Sequence, residues 1–347
     1  MGAAHVGVAL TDLRGRVLAW QSRGHPVRTD PEGTRALVAE LARECLIASA
    51  GAPLVGIGVA VPSPVDPSHP DRLSEVVLPA WQGRLGLDDL AAHHGVPLML
   101  DNDANLGALA EHWWGAGRDV DDFAYIKLAT GIGCGYVIDG EIYRGATGVA
   151  GEIGHLAIAP QGKRCVCGLR GCLTTMVGTA ALLERVGELL PEYPDTTLAG
   201  AEPDIGAVVR AAVAGDALAR RVAVEAAEHL GVALAGLLNL MNPSLVVLGG
   251  DLAGLGEILL DPIGETLRRR TLVTQVAAAE LRTSELGPQS VAVGAATLVL
   301  KEALADSRLF AAVGTTADAD GAGTPADAAG GAARRAEHPS GRGVRLA

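Results

Sequence analysis

Aromatic side chains are scarce, making up 3% of the 347 residues with only two phenylalanines. A core with so few rings must be filled by Val, Leu, Ile and Ala, which favours the close helix-on-sheet packing of an α/β protein. Basic residues are also in short supply, 28 against 40 acidic ones, giving a formal charge of -12. That balance excludes a nucleic-acid surface spread over the fold, because phosphate binding needs clustered Lys and Arg. DNA contact is therefore expected only through a segment absent from this chain. No uninterrupted run of about eighteen apolar residues occurs, and the start lacks the basic region and small-residue cleavage site of a signal peptide. The expectation is a cytoplasmic protein with no membrane partner.

What is present is a chain that is 49% hydrophobic and 20% charged, long enough to bury two ordinary domains. Val6, Val8 and Leu10 alternate before a turn at Asp12-Leu-Arg-Gly15, and Val17-Leu18 follow it, predicting a hairpin over residues 5–24. Leu37, Leu41 and Cys45 carry helical spacing within 31–50. The apolar run 54–61 suits a buried strand, and a strand at 97–100 leads into a helix over 103–114. From 122 to 158 short strands alternate with glycines. Long helical stretches are predicted near 176–191 and 205–240, then a strand at 245–248 ending in Gly249-Gly250, and a last helix over 290–306. Residues 307–347, rich in Ala, Gly, Asp and Thr, are expected to form a disordered tail. Strands alternating with helices in two similar blocks predict two α/β lobes.

Of the five cysteines, Cys45 and Cys134 stand alone, whereas Cys165, Cys167 and Cys172 crowd together ten residues after His155. The order H-x9-C-x-C-x4-C offers three thiolates and one imidazole, a complete tetrahedral shell for a structural zinc ion. Gly168 and Gly171 inside the loop permit the positive φ that a short chain needs to fold three sulfurs onto one point. A redox pair at Cys165 and Cys167, or ordinary small buried residues, are the alternatives.

Gly151-Glu-Ile-Gly-His155, followed by Gly162-Lys-Arg-Cys-Val-Cys-Gly-Leu-Arg-Gly-Cys172, resembles the zinc-site signature of the ROK family of bacterial sugar kinases and sugar-responsive repressors. Asn102-Asp103-Ala104-Asn105, Gly131-Ile-Gly-Cys-Gly135, Arg144-Gly145-Ala146, Asn242-Pro243 and Leu248-Gly249-Gly250 match further blocks of that family in order. The resemblance implies an actin-like ATPase fold of the hexokinase type, ribonuclease H-like in each lobe, with sugar and nucleotide in the cleft. It implies lobes at 1–116, closed by the helix 290–306, and at 117–289, carrying the zinc loop 155–172. It also implies a homodimer. In the kinases of the family, Asp103 would take the proton of the sugar hydroxyl, with Asn102, Glu152 and His155 holding other hydroxyls. His155 would do so while its other ring nitrogen binds zinc. Gly131, Gly133 and Gly135 would form a phosphate-binding loop, and Gly249-Gly250 the adenosine-side turn.

The pattern departs from the kinases at three places. They begin with a strand ending in Asp-x-Gly-x-Thr, whose Asp organises magnesium, whereas this chain starts Met1-Gly2-Ala3-Ala4-His5. The corresponding central strand is missing, and the expectation is that the natural protein extends further upstream. Thr174 stands where a second sugar-binding carboxylate is usual, and Ser63 where glycine is usual. The reading favoured is the sensor portion of a sugar-responsive transcriptional regulator, binding a sugar or sugar phosphate. The alternatives are an ATP-dependent carbohydrate kinase of the glucokinase or N-acetylhexosamine kinase type, using Mg-ATP, and a nucleotide- and zinc-binding scaffold with neither activity.

Overall fold

The computed structural model describes residues 1–49, 51–200, 204–271, 279–306 and 308. The chain opens with β1 (His5–Thr11), β2 (Val17–Gly24), α1 (Pro31–Leu46), β3 (Ile57–Val61), α2 (Asp88–His94), β4 (Leu98–Asn102) and α3 (Asp103–Trp114). It continues with β5 (Phe123–Leu128), β6 (Ile132–Ile138), β7 (Glu141–Tyr143), α4 (Thr174–Val177), α5 (Thr179–Leu189), α6 (Ile205–Ala214) and α7 (Ala217–Met241). Then come β8 (Leu245–Gly250), α8 (Glu257–Arg270), β9 (Glu280–Thr283) and α9 (Ser290–Ala305). The disordered tail expected at 307–347 lies, but for residue 308, outside the described residues.

The second half centres on a five-stranded sheet in the order β7-β6-β5-β8-β9, with β5, β8 and β9 parallel and β6 and β7 antiparallel to their neighbours. β5 and β8 are buried almost throughout, as their continuous apolar sequences require of strands covered on both faces. The alanine-rich α7 is long and apolar enough to cross a membrane, yet over half of its apolar window is buried in the fold. It is a core helix, packed on α8, α6 and α5.

The first half is built differently from one continuous sheet. β1 pairs antiparallel with β2, β3 pairs parallel with β4, and the described residues form no ladder between β1 and β3. A cavity of about 1150 Å³ runs along both strands, passes under α9 and reaches Asp103, Lys127 and Asp251. The Met1 ammonium group donates to the Ala60 carbonyl at 2.8 Å, and burial pushes its pKa down to about 6 against the pull of Asp103.

Several sequence expectations change in detail. The stretch 205–240 is two helices, because Gly215 adopts φ 99° and closes α6, and the Asp216 carboxylate accepts from Ala219 N at 3.0 Å to start α7. The stretch 176–191 is likewise divided, at Gly178 between α4 and α5. The predicted glycine loop 131–135 is mostly strand. Gly133 and Gly135 lie in β6, where a Cβ would stand 3.0 Å from the Ala104 Cβ and 2.4 Å from the Ala104 carbonyl oxygen respectively. Their missing side chains admit α3 against the sheet, and of the three only Gly131 sits on an open turn.

Candidate functional site

The cleft-facing end of α3 is fixed by a polar network. Asn102 caps the helix, its Oδ1 accepting from Ala104 N at 2.9 Å and Asn105 N at 3.3 Å, while its Nδ2 donates to the Ser63 carbonyl at 3.1 Å. With Oδ1 engaged in the cap, only one N–H of the Asn102 amide stays free for a ligand. Asp101, almost fully buried, accepts from Arg144 Nε at 2.9 Å and Nη2 at 2.6 Å, and also from Asn105 Nδ2 at 3.1 Å. Both guanidinium nitrogens converge on Asp101 Oδ2, and the pair ties the loop after β7 to the strand that delivers Asp103. Replacing Arg144 by Met leaves the Asp101 carboxylate buried without its partner, and the expected loss is about 3 kcal/mol of stability, read from urea unfolding curves.

Asp103 is the first residue of α3 and is 5% exposed. Its Oδ2 accepts from Lys127 Nζ at 2.9 Å. Lys127 was not among the residues singled out from sequence, although a lone cation in the apolar strand Phe-Ala-Tyr-Ile-Lys-Leu was the signal for it. In the ladder its Cα partner is Gly249, and the neighbouring pair is Leu128 with Gly250, so the strand ends place Asp251 on the same cavity as Lys127 and Asp103. Gly250 has φ 86°, and a Cβ there would meet the Leu128 carbonyl oxygen at 2.5 Å.

Glu152 precedes and His155 ends a short 3-10 turn, with Glu152 Oε2 3.8 Å from His155 Nε2. Gly151 precedes them at φ 92°, where a Cβ would overlap the Cys134 carbonyl oxygen, so only glycine lets this segment lie so close to β6. Burial, reinforced by the charge of Asp103, raises the Glu152 carboxyl above its ordinary range. Burial, with the Arg28 guanidinium adding to it, lowers the His155 imidazole, which favours the neutral ring a metal needs. Thr174 opens α4 two residues after Cys172 and carries no charge.

The ligand-bearing atoms of His155, Cys165, Cys167 and Cys172 all lie within 4.8 Å of one another. His155 Nδ1 is 3.6 Å from Cys165 Sγ, and Cys167 Sγ is 3.7 Å from Cys172 Sγ. With Zn–S near 2.3 Å and Zn–N near 2.0 Å, a tetrahedron has S–N and S–S edges of about 3.5 and 3.8 Å, so the donor set fits zinc. A disulfide would need about 2.05 Å, and all five cysteines are free thiols. Gly168 and Gly171 take φ 90° and 68°, and a Cβ on Gly171 would collide with the Ala159 carbonyl, so the loop closes only with glycine there. A zinc ion held by these residues would act as scaffold, using Nδ1 of His155 and leaving Nε2 directed at Glu152.

Similarity to known proteins agrees with this geometry. The ROK family model matches residues 1–302. A xylose repressor of Caldicellulosiruptor bescii is 28% identical, covering 88% of this chain and 77% of the repressor. A glucokinase of Thermotoga maritima is 31% identical, covering 86% of this chain and 95% of the kinase. The transcriptional regulator NagC of Escherichia coli is 31% identical, covering 88% of this chain and 75% of the regulator. Among solved structures, a ROK family glucokinase from Streptomyces griseus in complex with glucose and AMPPNP superposes with a TM-score of 0.76 at 30% identity, covering 86% of this chain and 96% of the kinase. A ROK family transcriptional regulator, a homologue of the E. coli MLC protein, superposes with a TM-score of 0.76 at 30% identity, covering 90% of this chain and 79% of the regulator. The α/β architecture is therefore that of the ROK sugar kinases and regulators, and the chain belongs to the ROK family.

Proposed function

We propose that this chain is the ligand-sensing portion of a sugar-responsive transcriptional regulator, whose cleft binds a sugar or sugar phosphate and whose DNA-reading unit lies outside the chain. Its lobes would be residues 1–116 with 290–306, and 117–289, and it would act in the cytoplasm as a homodimer. The observation that carries the reading is the ion pair at the heart of the cleft. Asp103, the residue that matches the base of the family's kinases, is buried and already accepts a charged hydrogen bond from Lys127 at 2.9 Å. With Oδ2 occupied by that ammonium group, one of the two oxygens a reacting hydroxyl would have to reach is already taken. Asn102, Glu152 and His155 would still hold hydroxyls, so ligand binding would survive where phosphoryl transfer would not. Closure of the cleft on a sugar would then change the spacing of the paired DNA-reading units.

A kinase is the second reading, favoured by Asp103 at the start of α3 and by the superposition on the glucose-bound kinase. In it Gly131, Gly249 and Gly250 would line the nucleotide and Mg-ATP would donate the phosphoryl group. A coupled assay for ADP release across common hexoses, with magnesium and ATP, separates the two. The expected result is turnover at background, and rates of about 1–100 per second, ordinary for kinases, would establish the second reading instead. Calorimetry against the same sugars tests the sensor itself, and a panel without any binder would refute both.

A further inference from the structure

The charges that converge on the cavity are unequal. Asp103 and Asp251 both line it, from the start of α3 and from just past the end of β8, and Lys127 lines it from β5, paired with Asp103 at 2.9 Å. Partial desolvation in the cavity raises the Asp251 carboxyl, with Lys127 and then His5 opposing it. The side chains of Lys127 and Asp103 are 13% and 7% exposed, so this ammonium is a fixed part of the wall and not a surface charge free to swing away.

We propose that Lys127 is a specificity-determining residue, a built-in counter-cation that fits this cleft to an uncharged sugar bound without a divalent metal ion. The inference rests on the sensor reading above and narrows its ligand. Hydroxyls of a neutral sugar donate to carboxylates, and Asp103 and Glu152 supply such acceptors. A phosphate esterified to the hydroxyl facing Asp103 would meet Asp103 and Asp251, with Lys127 already paired to Asp103, and would be repelled. The same ammonium supplies the positive charge beside Asp103 that a magnesium ion would otherwise supply. Removing it leaves two carboxylates on one cavity, the arrangement that attracts a hard divalent cation.

Two measurements test this independently. Calorimetry of the wild-type chain with a binding hexose and with its 6-phosphate is expected to show the free sugar tighter by about tenfold or more, with magnesium changing neither affinity. A tighter phosphate ester, or a hexose affinity that depends on magnesium, would overturn the proposal. Without any sugar, thermal unfolding with and without magnesium is expected to show no shift for wild type or Lys127→Arg and a clear rise for Lys127→Met. Equal responses in all three would also overturn it. If Lys127→Met does not fold, the wild-type comparison decides. If no sugar binds wild type, the sensor reading fails, and the magnesium response still judges the role of Lys127.

Discussion

Purified under reducing conditions, the chain is expected to carry a single zinc ion, and Cys172→Ser is expected to lose it and with it most sugar affinity. Cys172 is fully buried, and its sulfur lies 3.7 Å from that of Cys167. A serine oxygen is a hard, neutral ligand with a shorter reach, so the variant leaves a three-ligand set around a soft site. The consequence reaches the cleft through two connections. His155 carries a ligand atom on one face of its ring and faces Glu152 on the other, so an unligated ring is free to turn. The backbone of Ala159 packs on Gly171, and Leu173 N donates to the Leu156 carbonyl at 2.9 Å, so loosening the loop also loosens the segment after His155. Losing a group that orients a binding imidazole weakens affinity by about 10–100-fold, and calorimetry on the metal-free wild type and on Cys172→Ser should give the same loss. Elemental analysis showing no zinc in the native protein, or full sugar affinity after its removal, would contradict the scaffold role.

Much of the site's chemistry was readable because it is local in sequence. The three cysteines and the glycines between them specify one loop, and the structure gathers them with His155 as the spacing required. The Asn102-Asp103 step was equally legible, since a polar pair between an apolar strand and an amphipathic helix marks a helix start. What the sequence hid depends on register between distant strands. Lys127 meets Asp103 because β5 runs beside β6 and α3 packs over both, and no spacing along the chain announces that. The Arg144–Asp101 pair is hidden for the same reason. The glycines at 133 and 135 are ambiguous in sequence because glycine serves two needs: a backbone open to a phosphate, and a surface flat enough for a helix. The sequence pattern is the same, and only the position of Ala104 tells them apart. In the fold, the start and end of α3 were placed as expected, while α2, α8 and β9 escaped notice. α2 and β9 are short, and α8 carries Pro262 and three consecutive arginines, which dilute its apolar stripe.

The largest loss of stability is expected where α9 meets α3 and β3. Gly294 on α9 lies so close to α3 that a Cβ would stand 1.8 Å from the Leu106 carbonyl oxygen, and Gly58 on β3 faces the Ala295 carbonyl at the same 1.8 Å. Neither has a positive φ, so conformational freedom is not what these positions need; they need the absence of a side chain. The obstructing atoms are backbone of a helix on both sides, and they cannot rotate out of the way as a flexible side chain could. The interface must therefore part along its length. α3 and α9 pack directly on each other, with Leu106, Ala295 and Leu298 buried around the seam. Gly294→Ala or Gly58→Ala is accordingly expected to lower stability by about 3 kcal/mol or more, at the upper end for an overpacked core. Gly187→Ala in α5 is the matched control, since nothing lies within 4 Å of its added Cβ; there the better helix former should raise stability by about 0.5–1 kcal/mol. Urea denaturation midpoints of the three variants measure the contrast. If Gly294→Ala unfolds at the wild-type midpoint, the close seat of α9 on α3 is wrong. Because α3 carries Asp103 at its cavity end, that same result would unsettle the position of the helix on which the proposed sugar site depends.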